Sequence, residues 1–312
     1  MSAPQNNALQ GVLLAAAGTI AFSLTDLSVK FLSSGYALHQ LMLIRGLFVL
    51  LFVLGYALVT PNAFANLLPK NFTVQTLRTV IILVSNICFF TGLTLMPFAD
   101  AAAIAYVSPL ILTVLSIAFL GEKVGPRRWA AVAVGFIGVI VMLRPGAGVI
   151  QPAAILVLIS SFLYALGYVL TRRMRASESA ISLTVWSQIG FILLSLIIGF
   201  FVGDGRYEHS TETWGFLLRA WTWPSLQDWG LMALSGVVTT LGSIMITQAF
   251  RIAEAGLVAP MEYIGMPLAI LWGALIFGTW PDATSWLGMA LICGAGLYII
   301  WRETRLRKAS RP

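Results

Sequence analysis

FADAAAIAYVSPLILTVLSIAFLGEKVGPRR (98–128) and AGLVAPMEYIGMPLAILWGALIFGTWPDATS (255–285) follow one plan. Each has a proline within a helix, an apolar run closing in Phe or Leu and then Gly, and a short polar turn before a Gly-rich helix. A shift of 157 sets Tyr106 on Tyr263, Gly121 on Gly278 and Trp129 on Trp286, with Ala102 on Ala259 and Ala133 on Ala290. The turns differ in charge: GEKVGPRR (121–128) carries three cations, GTWPDATS (278–285) none and one acid. Because cations collect on the cytoplasmic side, the two turns are expected on opposite sides of a membrane. A unit with an odd number of spans, duplicated in one chain, enters the membrane inverted the second time, and inverted repeats mark many secondary transporters.

Working outward, hydrophobic residues make up 59% of the 312 and charged ones 10%, against roughly 45–50% and about 25% in soluble proteins. At about 20 apolar residues per span, the chain accommodates ten: 9–32, 37–59, 73–96, 98–120, 127–143, 152–173, 180–202, 227–251, 255–278 and 284–301. The expected fold is an all-α membrane protein of ten transmembrane helices, arranged as two inverted five-helix repeats. The repeats are 9–143 and 152–301, followed by a basic cytoplasmic tail, 302–312, with no room for a separate soluble domain. The opening MSAPQNNALQ has no basic residue and runs into an apolar stretch reaching Leu32, unlike a cleaved signal peptide.

Basic residues orient the bundle. With the N-terminus inside, Lys70, Arg78, Lys123, Arg127, Arg128, Arg172, Arg173, Arg175, Arg251 and the tail cations fall inside. Lys30, Arg144, Arg206 and Arg219 fall outside. Both termini are then cytoplasmic, and the net charge of +7 calls for no nucleic acid. Cys88 and Cys293 lie within spans and suggest neither a disulfide framework nor a metal motif. His39 and His209 are far apart in sequence, which leaves no histidine cluster for an intramembrane metal enzyme. No cofactor is implied.

TGLTLMPFADAAAIAYVSPLILTVLSIAFLGEKVG (91–125) and AEAGLVAPMEYIGMPLAILWGALIFGTWPDATSWLGMALICGAGLYIIWRE (253–303) resemble the ends of two EamA repeats of the drug/metabolite transporter superfamily. That family commonly has Gly-Glu after the fourth and ninth helices; Gly121-Glu122 matches, whereas Gly278 is followed by Thr279. The resemblance implies a central cavity lined by the first, third, fourth, sixth, eighth and ninth helices. AFSLTDLSVKFLSS (21–34) and APMEYIGMPLAILWG (259–273) look closest to a subgroup that includes importers of riboflavin and of S-adenosylmethionine alongside metabolite exporters.

Isolated charge at the bilayer centre costs about 2.5–3.5 kcal/mol on insertion scales, so Asp26, Arg45 and Glu262 need partners or a task. Asp26 and Arg45 fall at one depth, roughly 10 Å below the outer surface. They are read either as a salt bridge, for which Lys30 competes, or as groups that meet solute or gate it. Glu262 has no basic residue in its inner-half depth band. It is read as a coupling or cation-binding carboxylate, with a hydrogen-bonded structural carboxyl as the rival. Pro109, Pro260 and Pro267 fall at nearly corresponding places in the two repeats, as paired breaks beside a central site or as plain kinks. Gly265, Ala269 and Gly273 give the ninth helix a small-residue stripe for close packing.

Tyr106 and Tyr263 are expected at mirrored depths. With Tyr164, Tyr168, Trp186 and Trp272 they would give the cavity aromatic walls suited to planar rings or cations. Asn86, Gln188, Gln248 and Ser108 supply neutral hydrogen-bonding groups. The connection 203–226, with Trp214, Leu217, Leu218 and Trp221 at helical spacing, reads as an amphipathic anchor in the outer interface or as a lid. The expected function is inner-membrane transport of a small organic metabolite by alternating access, riboflavin uptake first. Export of amino acids or other metabolites is the alternative, as is a channel or nonconducting subunit. The partners are the substrate and the lipid bilayer, with a coupling ion, proton or other, left open. No GxSxG motif or carboxylate dyad points to an enzyme.

Overall fold

A computed structural model describes residues 3–59, 67–121, 125–143, 152–207, 212–253 and 258–309. Glu122, Lys123, Arg144, Glu208, His209 and Arg311, which entered the sequence reading, lie outside the described residues. Those described are helical throughout, joined by turns and irregular connections without strands. Seven stretches are long and apolar enough to cross a membrane: Leu9–Leu32, Leu38–Val59, Phe72–Leu95, Phe98–Phe119, Pro152–Arg173, Ala180–Val202 and Leu226–Ile252. Three shorter apolar helices, Trp129–Leu143, Met261–Phe277 and Ala283–Ile299, complete the bundle.

In chain order the helices are α1 (Ala3–Leu32), α2 (Leu38–Val59), α3 (Phe72–Leu95), α4 (Phe98–Ala105), α5 (Ser108–Leu120) and α6 (Pro126–Leu143). There follow α7 (Pro152–Arg173), α8 (Ala180–Val202), α9 (Glu212–Leu218), α10 (Leu226–Ile252), a 3-10 segment (Ala259–Ile264), α11 (Gly265–Phe277) and α12 (Ala283–Ala309). The fourth span is thus broken after Tyr106. The ninth begins as a 3-10 turn and becomes α-helical at Gly265. Pro109 and Pro260 are each the second residue of their segment, and Pro267 is in the first turn of α11. There the missing N–H has no intrahelical acceptor to lose, so these prolines open new helical segments and kink no continuous one. Both segments end alike, on Gly121 (φ 69°) and Gly278 (φ 63°), in the left-handed conformation that glycine adopts without a Cβ clash.

The closest helix neighbours are α1 with α10, α3 with α7, α6 with α12 and α2 with α8; α4 lies on α11, α5 on α7, and the 3-10 segment on α1. In lipid, apolar burial does not drive helices together, so close backbone approach has to. A Cβ on Gly138 of α6 would lie 2.9 Å from the Gly288 carbonyl oxygen, and one on Gly288 of α12 3.0 Å from that of Gly138. Gly18 of α1 and Gly242 of α10 face each other with the same reciprocity, at 3.2 and 3.3 Å. The expected stripe of α11 is buried at Gly265, Ala269 and Gly273, and Gly273 faces Ala99 of α4. Gly138→Ala should therefore overpack the α6–α12 contact by about 1–3 kcal/mol. A lower melting temperature in detergent checks this, with Gly55→Ala as the control because Gly55 of α2 faces open space.

One end of the bundle holds the α1–α2 and α3–α4 turns and the start of α10; the other holds the start of α3, the α7–α8 turn and the end of α10. At the α2–α3 end, the buried Glu178 accepts from the Lys70 and Asn71 backbone N–H groups at 2.7 and 2.8 Å, joining the α7–α8 turn to the start of α3. At the α1–α2 end, the 203–226 connection does more than lie in the lipid interface. Phe216 of α9 is buried, α9 packs on α3 and α2, and Arg219 donates to the Ser33 carbonyl at 2.7 Å. Gln40 exchanges two hydrogen bonds with the Thr222 backbone, and Trp221 stacks on His39 at 5.7 Å. Its described part is thus clasped to helix ends, an arrangement open to both the anchor and the lid reading.

Candidate functional site

The two broken spans cross at the wall of a polar cavity of about 190 Å³. The break after Tyr106 puts Ser108 at the head of α5, and its Oγ donates to Glu262 Oε2 at 3.2 Å. Tyr164 of α7 donates to Glu262 Oε1 at 3.3 Å and meets Tyr168 edge-on at 4.6 Å. Glu262, 7% exposed, therefore holds two hydroxyl donors from two other helices, with its carboxylate on the cavity wall.

Of the residues expected at a site, the structure brings Asp26, Arg45, Asn86, Tyr106, Tyr164, Tyr168, Gln188 and Glu262 to this one cavity. Tyr263, Trp186 and Trp272 are not on its wall. Tyr263 turns toward Gly296 of α12. Trp186 packs edge-on against Phe72 at 5.0 Å. Trp272 stands behind the wall and donates to Ser23 Oγ at 2.9 Å. Residues one or two apart on a helix point in different directions. Glu262 and Tyr263 accordingly reach different neighbours, as do Gln188 and Trp186.

Three expectations about charge and depth are corrected. Asp26 and Arg45 influence each other electrostatically and share the wall, but no salt bridge or hydrogen bond joins them among the described residues. Lys30 does not compete for Asp26, because its ammonium donates to the carbonyls of Leu93, Thr94 and Met96 at 2.5, 3.5 and 2.8 Å. These are oxygens freed at the end of α3, where a cation also meets the negative end of the helix dipole. Tyr106 and Tyr263 are not separated in depth; their ring centroids lie 6.3 Å apart, since each stands where its span is interrupted.

Sequence reasoning missed Arg78. Assigned to the inner surface, it is 2% exposed and lines the same cavity as Glu262. Arg78 is tied to two helices: Nε donates to Thr171 Oγ1 at 2.6 Å, and Nη1 to the Leu183 carbonyl and Ser187 Oγ at 3.2 and 3.1 Å. Its place about two turns inside α3 was the available signal.

Arg45 is the opposite case. It is 4% exposed and held between the rings of Phe90 and Phe191, with centroids at 5.5 and 5.9 Å, an arrangement worth about 2 kcal/mol when desolvated. Its Nε is buried without a hydrogen-bond partner, as are Thr19 Oγ1, Thr184 Oγ1 and Gln188 Oε1 on the same wall. The cavity thus combines two acids, two bases, tyrosine hydroxyls and phenyl rings with unsatisfied donors and acceptors, as a site for a polar organic molecule requires.

A helical membrane bundle whose central cavity, walled chiefly by α1, α3, α7, α8 and α10, meets two broken spans is the architecture of a membrane transport protein. The chain belongs to the EamA-like transporter family, whose model matches residues 9–144 and 151–302. It is 34% identical to a riboflavin transporter of Rhizobium johnstonii over 69% of this chain, and spans 65% of the length of that protein. A riboflavin transporter of Vibrio cholerae is 26% identical across 98% of both chains. An S-adenosylmethionine uptake transporter of Rickettsia prowazekii is 24% identical over 74% of this chain and 73% of that protein.

Proposed function

We propose that the chain carries a small, planar, hydrogen-bonding metabolite across the bacterial inner membrane by alternating access, and that riboflavin is its substrate. The observation that carries this is the cavity beside the broken spans, where phenyl rings and tyrosine hydroxyls accompany a balanced set of charges. Kinship to riboflavin transporters supports the choice of flavin. Two inverted five-helix repeats, 9–143 and 152–301, are the moving parts, with both termini cytoplasmic. Neighbour relations support them: exchanging the repeats turns the α1–α10 contact into α7–α3, and that of α1 with the 3-10 segment into α7–α4, and both mates occur. Rocking of one repeat against the other would open the cavity to each side in turn.

A second reading, uptake of S-adenosylmethionine, rests on the two carboxylates, Asp26 and Glu262, that a cationic sulfonium would seek. Counterflow in proteoliposomes discriminates. Liposomes preloaded with unlabelled riboflavin should accumulate labelled riboflavin saturably and should ignore S-adenosylmethionine. Flux without saturation would mean a pore, and accumulation of S-adenosylmethionine alone would replace the flavin.

A further inference from the structure

Asp26 and Arg45 stand on one wall, close enough to feel each other's charge, yet unpaired among the described residues. Nothing on the protein takes up their hydrogen-bonding capacity. The Arg45 guanidinium is clamped between Phe90 and Phe191 with Nε unbonded, and no described residue accepts from its other N–H groups. The Asp26 carboxylate likewise receives no hydrogen bond from a described residue. Arg45 Nε is sealed off without a partner, and an unmade buried donor costs about 1–3 kcal/mol, more for charged groups; the half-buried Asp26 lines the cavity, where a ligand can reach it. The bonded Arg78, on the same cavity, shows that the fold can satisfy a buried guanidinium with ordinary hydroxyls and carbonyls.

We infer that Asp26 and Arg45 form a divided ion pair that receives an imide edge of a planar ring, with a ring carbonyl accepting from the Arg45 fork and the adjacent ring N–H donating to Asp26. This deepens the flavin reading and rests on it only for the name of the ligand. An alternating carbonyl and N–H satisfies both charges at once without adding a charge of its own. The planar fork suits a carbonyl edge, and the phenyl rings flanking the guanidinium favour a flat, aromatic ligand over an aliphatic one. A simple cation would satisfy Asp26 and be repelled by Arg45, and a simple anion would do the reverse.

The test uses purified protein in detergent micelles, with binding read by flavin fluorescence quenching and by thermal stabilisation. The ligands are riboflavin and riboflavin methylated at the imide nitrogen, then lumazine and its imide-methylated form, then S-adenosylmethionine. The wild type should bind each free imide at least about ten-fold more tightly than its methylated mate, the loss expected for an unmade hydrogen bond to a charged group. In Asp26→Asn that discrimination should shrink to about two-fold or less, and Arg45→Lys should weaken the free imides at least about ten-fold. The ligand comparison on the wild type needs no variant to fold. If lumazine shows the discrimination and riboflavin does not bind, the flavin reading falls and the imide site stands. Equal binding of free and methylated imides, binding of neither, or tight binding of S-adenosylmethionine that depends on Arg45 overturns the imide site.

Discussion

Glu262→Leu should slow substrate transport on the order of 30-fold while the protein still folds. The Ser108 and Tyr164 hydroxyls that donate to the carboxylate would lose their acceptor in a cavity where Glu262 is 7% exposed. Each unmade bond costs about 1–3 kcal/mol, and about 2 kcal/mol in total corresponds to that factor. The loss falls on transport because Ser108 heads α5 at the break of the fourth span, and the carboxylate joins it to the 3-10 segment of the ninth. Glu262→Gln retains one acceptor oxygen and should be intermediate in rate. If the carboxylate also carries a coupling proton, Glu262→Gln should flatten the pH dependence of uptake, whereas Tyr164→Phe should leave it intact. Initial rates of counterflow at several pH values measure both, and a Gln variant with normal rate and unchanged pH profile would remove Glu262 from the mechanism.

Arg78→Ala should give the largest loss of stability among single changes at the cavity, about 2–4 kcal/mol, from removal of three hydrogen bonds to a charged group. The acceptors are not all stranded: Thr171 also donates to the Gly167 carbonyl, and Ser187 to that of Leu183. The order of variants is diagnostic. Arg78→Met keeps most of the stem and removes the charge, so it should be milder than Arg78→Lys, which keeps a buried charge that cannot reproduce the fork. Melting temperatures in detergent give the order directly. A Lys variant as stable as the wild type would mean that charge alone, and not the tie of α3 to α7 and α8, is what the position supplies.

Seven stretches able to cross a membrane were legible in the sequence because composition and length decide them, and the interruptions of the fourth and ninth spans were legible because proline marks them. Glu262, Asp26 and Arg45 stood out as charges in apolar surroundings, and they share one cavity. Depth counted from helix ends could not show whether two such charges touch. Asp26 and Arg45 sit on α1 and α2, which follow each other in the chain but pack on α10 between them, and that arrangement leaves no trace in the spacing. Arg78 escaped notice because a cation near a helix start reads as an interfacial one, and only its bonds to α7 and α8 show it buried. Trp186 and Trp272 were drawn in by residue type, whereas the helical rotation set by Gln188 and the packing of α11 against α1 turn them away. Tyr106 and Tyr263 were assigned depths as though their spans were continuous rods, and the breaks bring their rings together.

Lys30 binds three main-chain oxygens of the α3 terminus, and this shapes how the contact can vary through evolution. Any amino acid at positions 93, 94 or 96 presents the same carbonyl, so the α3 side of the latch is free to drift and offers no partner for compensatory change. The whole selective burden falls on one lysine in α1. In a lineage of such chains the contact would leave a single invariant cation opposite a variable segment, without the covariation that usually betrays two helices that touch.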